Sequence, residues 1–409
     1  MGILKNPNRN ASKYKQSGRL GTDVSKLFKR AAKDHPQTIA YFKKVAKDTY
    51  DPEVFKANWL KMEDLDLSAD DLTTALGAAA RLLVGRTLNS RSLEQSLAQK
   101  SELKTFLDSH FEIWLSKMQT AGLDTFGRDG LARMIWDMCG INIWPGEDFI
   151  GQWKDAADQF LSNEATERFR DIDLSKIMHG LCTIDGQVDD IDLNILITEI
   201  AQEWENIDDP APHTIQSYFD ACLWTGREPQ VKILSYSHHD KSKAEQKLGN
   251  LLGKIDDVKF YPDEGDNNPD NHVISSHPVD LPFEWRGHKI LMEYDGPTHF
   301  IRPPETYDDN DQNVVFNGAT AFRTNLLSQC NPDAYVVRFP YSEDDWLSEN
   351  CKKNKDKLYE LECMLHDLTD REPGCYVATS DSGSLSVRSM TTKPATPSPP
   401  MPWANTAHE

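Results

Sequence analysis

The segment Lys289-Ile-Leu-Met-Glu-Tyr-Asp-Gly-Pro-Thr-His-Phe300 constrains the fold of this chain more than any other stretch. Its apolar run Ile290-Leu291-Met292, bounded downstream by Gly296-Pro297, reads as a β-strand. Side chains two apart share a strand face, so Glu293 and Asp295 are expected to project together from the strand's end. His299 follows just beyond the turn. Neighbouring carboxylates repel and raise each other's pKa unless a cation or donor offsets them, so this pairing points to a site. Val279–Phe283 reads as a short preceding strand, and Glu284-Trp285-Arg286-Gly287-His288 as the hairpin turn between the two. That hairpin would set Asp280 beside Glu293.

Upstream, Ser242–Leu252 has helical spacing, with Ala244, Leu248, Leu251, Leu252 and Ile255 on one face. A helix, an acidic hairpin and a second acidic strand form the arrangement of the restriction-endonuclease-like core. There a helix Glu, a strand Asp and a Glu on the next strand gather around a divalent metal, which places Glu245, Asp280 and Glu293 as candidate ligands. Hard oxygen ligands of this kind suit Mg²⁺ or Mn²⁺.

The Glu-Tyr-Asp-Gly-Pro-Thr-His-Phe segment resembles the RAP domain, named for its abundance in apicomplexan RNA-binding proteins. Phe316-Asn-Gly-Ala-Thr-Ala-Phe-Arg323 looks like that family's glycine turn and following helix, with Leu326-Leu327 on its apolar face. Tyr335-Val-Val-Arg338-Phe-Pro-Tyr341 looks like its last core strand, and Trp346 like the tryptophan that follows. The resemblance covers roughly residues 229–370 and implies an α/β domain of endonuclease-like fold that engages RNA. Active members of the wider nuclease group commonly carry Lys two positions after the second-strand Glu, where this chain has Asp295. The Asp-Gly version resembles RAP domains and the mismatch-repair endonuclease branch. The departure removes a cation that would activate water or stabilise charge at phosphorus. Lys289 shares a strand face with Glu293 but lies four residues away; His299 is the better substitute, as a base near neutral pH.

If this centre cuts, Asp280 and Glu293 would hold Mg²⁺ with Glu245 nearby. Asp295 or His299 would then orient or deprotonate the attacking water. Lys289, Arg323 and Arg338 are the candidate phosphate contacts. Each residue also has a structural reading. Ser242-x-x-Glu245 is a capping box as well as a ligand position, and both roles can hold together. Asp280 fits turn chemistry, His299 fits a hydrogen bond to a neighbouring carboxylate, and Arg323 and Arg338 fit solvated surface charges. His238, His239 and His277 show no metal spacing.

Between residues 51 and 228 a pattern recurs. A first helix carries tryptophan shortly after a bulky apolar residue, as in Phe55/Trp59, Phe111/Trp114, Phe149/Trp153 and Ile200/Trp204. A second helix ends on a small residue: Leu131–Cys139, Leu174–Cys182, Thr214–Cys222 and, with alanine, Leu72–Ala80. Apolar residues at i, i+4 and i+7 with a small residue at i+8 give one buried stripe and one point of close approach. The cysteines fall 43 and 40 residues apart, which suits helix-pair repeats and makes them packing residues. The copies resemble the degenerate helical repeats that accompany RAP domains in organellar RNA-binding proteins; an ordinary helical bundle is the competing topology. A solenoid of this kind presents side chains to successive bases of single-stranded RNA. The acids Asp185, Asp189, Asp190, Asp192, Asp208 and Asp209 would repel phosphate unless they lie on the outer face; otherwise the repeats bind protein.

The expected architecture is thus an N-terminal α-helical repeat solenoid (51–228) followed by a restriction-endonuclease-like α/β domain (229–370). A basic arm (1–50) and a disordered Ser/Thr/Pro-rich tail (371–409) flank them. The 409 residues are 38% hydrophobic, enough for a sizeable core, and no apolar run approaches the length of a membrane span. Seven cysteines without a Cys-x-x-Cys pair fit reduced thiols in an intracellular protein. The net charge of −20 is uneven, because residues 1–50 hold 12 Lys or Arg against 3 Asp and leave −29 to the remainder. That arm reads as a phosphate grip, an organelle address, a secretion leader or a solvated disordered segment. RNA is the expected partner, with effects on transcript processing, stability or translation. The alternative is a protein-binding or delivered effector whose nuclease-like domain is inactive.

Overall fold

The tryptophan-bearing segments and their partners in the repeated pattern all form helices, for reasons visible at their ends. The computed structural model describes residues 35–45, 50–84, 93–161, 167–185, 193–230, 242–261, 279–296, 299–302, 315–340, 354–381 and 384–390. A helix over 35–44 (α1) precedes α2 (Pro52–Lys61), α3 (Ala69–Val84), α4 (Leu93–Ala121), α5 (Arg128–Ile141), α6 (Glu147–Leu161), α7 (Asp171–Asp185), α8 (Asn194–Glu205) and α9 (Pro212–Thr225). Asp51 starts α2 by accepting the Glu53 and Val54 N–H groups at 3.0 and 3.1 Å, with Pro52 in the first turn. Left-handed Asn142 and Gly226 end α5 and α9.

Trp59, Trp114, Trp153 and Trp204 are buried, and each indole N–H finds an acceptor. Trp114 donates to the Leu72 carbonyl (3.0 Å), Trp153 to the Leu131 carbonyl (3.2 Å) and Trp204 to Thr214 Oγ1 (3.2 Å). Leu72, Leu131 and Thr214 all open the recurring second-helix pattern, so three tryptophans dock at the same station. Trp59 instead reaches the His110 carbonyl (3.1 Å). The second helices α3, α5, α7 and α9 lie side by side in that order. Gly180 of α7 permits one close approach, since a side-chain carbon there would lie 3.1 Å from the Ile135 carbonyl oxygen of α5. Cys139, Cys182 and Cys222 are buried in this layer.

The C-terminal part begins with α10 (Lys243–Leu252) and a meander of β1 (Val258–Phe260), β2 (Leu281–Trp285) and β3 (His288–Asp295). Arg286 and Gly287, at φ 52° and 86°, make the two-residue turn between β2 and β3, the hairpin geometry that matches strand twist. After the short pair β4 (Phe300–Arg302) and β5 (Val315–Phe316) come α11 (Gly318–Cys330), β6 (Ala334–Pro340), α12 (Asn354–Thr369), β7 (Gly374–Asp381) and β8 (Ser384–Ser389). The six-stranded mixed sheet runs β1-β2-β3-β6-β7-β8, parallel at β3/β6 and β6/β7 and antiparallel elsewhere. Each of the parallel connections carries a helix, as right-handed crossovers require.

One face of this sheet packs Ile290, Met292, Phe283, Val337 and Phe339 against Leu248 and Leu252 of α10 and Leu361, Met364, Leu365 and Leu368 of α12. The other face, with Leu291, Ala334 and Val336, meets Phe322, Leu326 and Leu327 of α11. Those α11 residues belong equally to the core of the helical layer. Phe322 lies 5.4 Å from the His179 ring and 5.5 Å from the Trp224 ring, and Gln329 Nε2 donates to the Trp224 carbonyl at 3.1 Å. Gly318 rests on Cys139 so closely that a side-chain carbon would overlap its carbonyl oxygen. The layer of second helices is therefore partly covered by the chain's own α11.

Two expectations change. The stretch from 371 onward is not wholly a tail: β7 and β8 extend the sheet beyond Tyr335–Pro340, so β6 is not its last strand. Cys375, Tyr376, Val377 and Ala378 of β7 are all buried, and Leu385 and Val387 of β8 alternate with Ser and Arg, so an apolar strand pair lies behind a Ser-rich composition. The basic arm also contributes α1, whose Ile39 and Phe42 enter the helical core. The arm residues Lys5, Arg9, Lys13, Lys15, Arg19, Lys26, Lys29 and Arg30 lie outside the described residues, as do Asp189, Asp190, Asp192, His238, His239, His277, Pro297, Tyr341, Trp346 and 391–409. Among the described residues, no helix is long and apolar enough to cross a membrane.

Candidate functional site

Strand alternation sends Leu291, Glu293 and Asp295 toward α11 while Ile290 and Met292 face α12. The parallel register sets Arg338 of β6 opposite Glu293. The β2/β3 ladder ends at Leu281 and Met292, and Asp280 follows on the Glu293 side. Asp280 Oδ2 accepts the Tyr294 N–H at 2.9 Å, where β2 no longer provides a ladder partner. Asp280, Glu293 and Arg338 thus form one row across three adjoining strands.

Arg338 is fully buried and organises the row. Its Nη1 donates to Asp295 Oδ1 at 2.9 Å and stands 3.5 Å from Glu293 Oε2. Its Nε donates to Thr324 Oγ1 at 2.8 Å, and its Nη2 to the Thr320 carbonyl at 3.5 Å. From α11, Arg323 Nη2 donates to Glu293 Oε1 at 2.8 Å. Glu293 is 2% exposed and Asp295 fully buried, so both carboxylates reside where charge survives only when paired. Asp295 Oδ2 has no hydrogen-bond partner among the described residues.

His299 is held by its backbone, which donates to the Gly296 carbonyl (3.0 Å) and accepts from the N–H of Asn317 (2.8 Å). Asn317 in turn caps α11 by accepting the Thr320 N–H at 2.9 Å. The imidazole Nδ1 is 3.0 Å from Thr320 Oγ1 and 3.2 Å from Asp295 Oδ1, and the side chain is 37% exposed. Burial, helped by the Arg338 and Arg323 charges, pushes this histidine down to about 4, so the ring is neutral at pH 7. Burial and then the Glu293 charge push the Asp280 carboxyl up to about 7. Burial also raises Asp295, with Arg338 and Arg323 opposing. For Arg338 burial acts downward, but Asp295 and Glu293 outweigh it and the guanidinium is held charged.

The structure brings Asp280, Glu293, Asp295, His299, Arg323 and Arg338 together and leaves two expected residues aside. Glu245 closes a capping box with Ser242, whose N–H donates to Glu245 Oε2 at 3.0 Å while the Glu245 N–H donates to Ser242 Oγ at 3.1 Å. It reaches Asp280 only as a nearby charge. Lys289, at the far end of β3, donates to Asn331 Oδ1 at 2.6 Å, and burial lowers its pKa.

A resident Mg²⁺ does not fit this arrangement. Such an ion needs near-octahedral oxygen ligands. Here both Glu293 oxygens face guanidinium groups, which put positive charge where the metal would sit. Among the described residues, no three His, Cys, Asp or Glu side chains are grouped to hold a metal. Arg338 also answers the absent strand lysine: a cation reaches Glu293 and Asp295 from the neighbouring strand instead. Its one sequence signal is a lone Arg inside the apolar run Tyr335–Phe339, since a charge buried mid-strand needs a partner. Chemically, the neutral His299 ring is a weak base at pH 7, and the acids are already neutralised by protein.

The chain matches no protein-family model, no curated protein and no solved structure.

Proposed function

We propose that this chain is an RNA-binding protein acting on transcript processing, stability or translation, and that its C-terminal domain holds RNA without cutting it. Support for a nuclease-like ancestry comes from the connectivity: α10, the antiparallel β1-β2-β3, α11, then β6 parallel to β3. The recurring tryptophan and cysteine stations support the helical-repeat reading of 51–228. The observation that carries the non-cutting reading is the pair of guanidinium groups on Glu293, where a catalytic cation would otherwise act. Arg338 is too deeply committed to reach phosphate in this arrangement, whereas Arg323 is partly exposed.

Two measurements test this. Crosslinking of the full chain followed by RNA sequencing is expected to recover RNA above the level of an unrelated acidic protein. Recovery at or below that level removes the RNA reading. Incubation with RNA and DNA in Mg²⁺ is expected to give equal, background cleavage for wild type, Asp280→Ala and Glu293→Ala. Cleavage by wild type that both variants lose would restore the metal-dependent endonuclease. The net charge of −20 favours a second reading, a protein partner for the helical layer. Phosphate contacts weaken steeply with salt, so binding that is flat between low and moderate salt selects that reading.

A further inference from the structure

A polar seam lies where α5 packs between α3 and α7. Gly77 of α3 opens this seam. The point its absent side-chain carbon would occupy lies 2.9 Å from Arg133 Nη2, 3.1 Å from Asp137 Oδ2 and 3.5 Å from Arg81 Nη1. Asp137 is 8% exposed, and its Oδ2 has no hydrogen-bond partner among the described residues. Burial pushes its carboxyl up to about 6, against the opposing charges of Arg133, Arg81 and Lys176, with Asp129 adding to the rise. Three cations therefore surround one imperfectly paired acid.

These cations are not equally committed. Arg81 Nη2 donates to the Phe42 carbonyl at 3.2 Å, and Lys176 makes only a 3.7 Å contact with Asp129. Arg133 makes no hydrogen bond or ion pair among the described residues. A half-buried guanidinium that faces the Asp137 charge but makes no hydrogen bond is a ready fork for an oxyanion. One helical turn along α5, Trp136 is 43% exposed, while Trp144 is half-buried and Trp59, Trp114, Trp153, Trp204, Trp224 and Trp285 are buried. Its ring is 4.9 Å from the ring of His179 on α7, which is braced in turn by Phe322. Exposed Val84 of α3 completes the apolar patch, 3.1 Å from the point a side chain at Gly140 would occupy. Arg133 and Lys176 stand at the same station of their helices, two residues past Leu131 and Leu174.

We propose that Arg133, Arg81 and Lys176 bind a backbone phosphate of single-stranded RNA while Trp136, supported by His179, stacks the adjoining base. The inference deepens the RNA-binding reading above and rests on it. A flat, half-exposed ring one turn from an uncommitted guanidinium matches the two chemistries of a nucleotide, and stacking needs a base freed from a duplex. A site of this kind lies within the helical layer and is separate from the Glu293–Arg338 row.

The test uses the full chain and a short labelled random-sequence RNA, single-stranded or annealed to its complement, read by fluorescence anisotropy. Trp136→Ala is expected to weaken single-strand binding by about tenfold. Arg133→Gln and Lys176→Gln should each weaken it and make its salt dependence shallower by about one counterion. Thermal unfolding of the same variants checks that the fold is kept; Trp136 is exposed, so little change is expected there, while half-buried Arg133 beside Asp137 makes the check necessary for Arg133→Gln. Wild type that binds no RNA overturns the proposed function together with this subsite. Wild type that binds RNA while all three folded variants bind equally well overturns the subsite alone, and leaves the seam to a protein partner or to none. Equal preference for the duplex overturns the stacking role of Trp136.

Discussion

Arg338 and Glu293 face each other across two parallel strands, and the same guanidinium reaches Asp295 two residues further along β3. Removing one member of such a buried set strands the others. Arg338→Met is expected to destabilise the protein by about 3–5 kcal/mol, because Asp295 and Glu293 remain buried without their cation. Adding Asp295→Asn should recover part of that loss. Arg338→Lys should rescue poorly, since an ammonium cannot meet Asp295, Thr324 and the Thr320 carbonyl from one position. Denaturant melts of the four proteins check this order.

Asp280 and His299 respond to pH in opposite directions. Asp280 is held near 7 rather than at the ordinary 3.8, so the folded state keeps a proton that the unfolded chain releases. Its contribution to stability is therefore lost as pH rises from about 4 through 7, by at most about 4 kcal/mol. His299, near 4 rather than 6.5, stays neutral in the fold while the unfolded chain takes up a proton. Its contribution is lost as pH falls from 6.5 toward 4. Between those limits the two slopes offset each other. Asp280→Asn should expose a loss of stability on acidification, and His299→Gln a gain, relative to a flatter wild type. Melting temperatures across pH 4–7 decide it; parallel profiles for all three proteins would contradict the assignment.

Gly318 is where α11 meets the helical layer. Gly318→Ala would force a methyl into the Cys139 carbonyl and to 2.7 Å from its Sγ. A cost of about 1–3 kcal/mol is expected from this overpacking. Gly151→Ala, exposed inside α6 with open space around it, serves as the control and should be neutral or stabilise by up to about 1 kcal/mol.

Asp185 closes the end of α7 by accepting the Leu193 N–H at 3.0 Å and the Trp224 indole N–H at 2.9 Å. Asp185→Leu leaves both buried donors unpaired, and a loss of about 2–4 kcal/mol is expected. Hydrogen exchange should quicken at the starts of α8 and the end of α9 before the rest of the helical layer. The residue thus serves packing, unlike the exposed Asp208 and Asp209 that follow α8.

The two halves of the site differ in how readable they are. Glu293, Asp295 and the hairpin through Gly287 follow from alternation and turn chemistry within some twenty residues, and both were legible. The partnership with Arg338 depends on a parallel register between strands separated by a whole helix, which no local pattern encodes. Glu245 was ambiguous because Ser-x-x-Glu serves a helix start as well as a ligand set, and the cap is what its hydrogen bonds display. The strands at 374–389 were hidden by serine and threonine, whose frequency in tails outweighed the short apolar run Tyr376-Val377-Ala378 and the alternating Leu385 and Val387. The helices of 51–228 were legible through Trp59, Trp114, Trp153 and Trp204, large side chains that must be enclosed. What covers the second helices was not, because Phe322, Leu326 and Leu327 look like an ordinary one-sided stripe.

Because Phe322, Leu326 and Leu327 serve two cores at once, neither half of this chain is a portable cassette. Cutting the sheet away would strip the helical layer of its lid, and grafting the sheet elsewhere would carry along an orphaned hydrophobic ridge. Drift in Cys139, His179 or Trp224 must be matched by drift in α11, so the two halves are bound to change together.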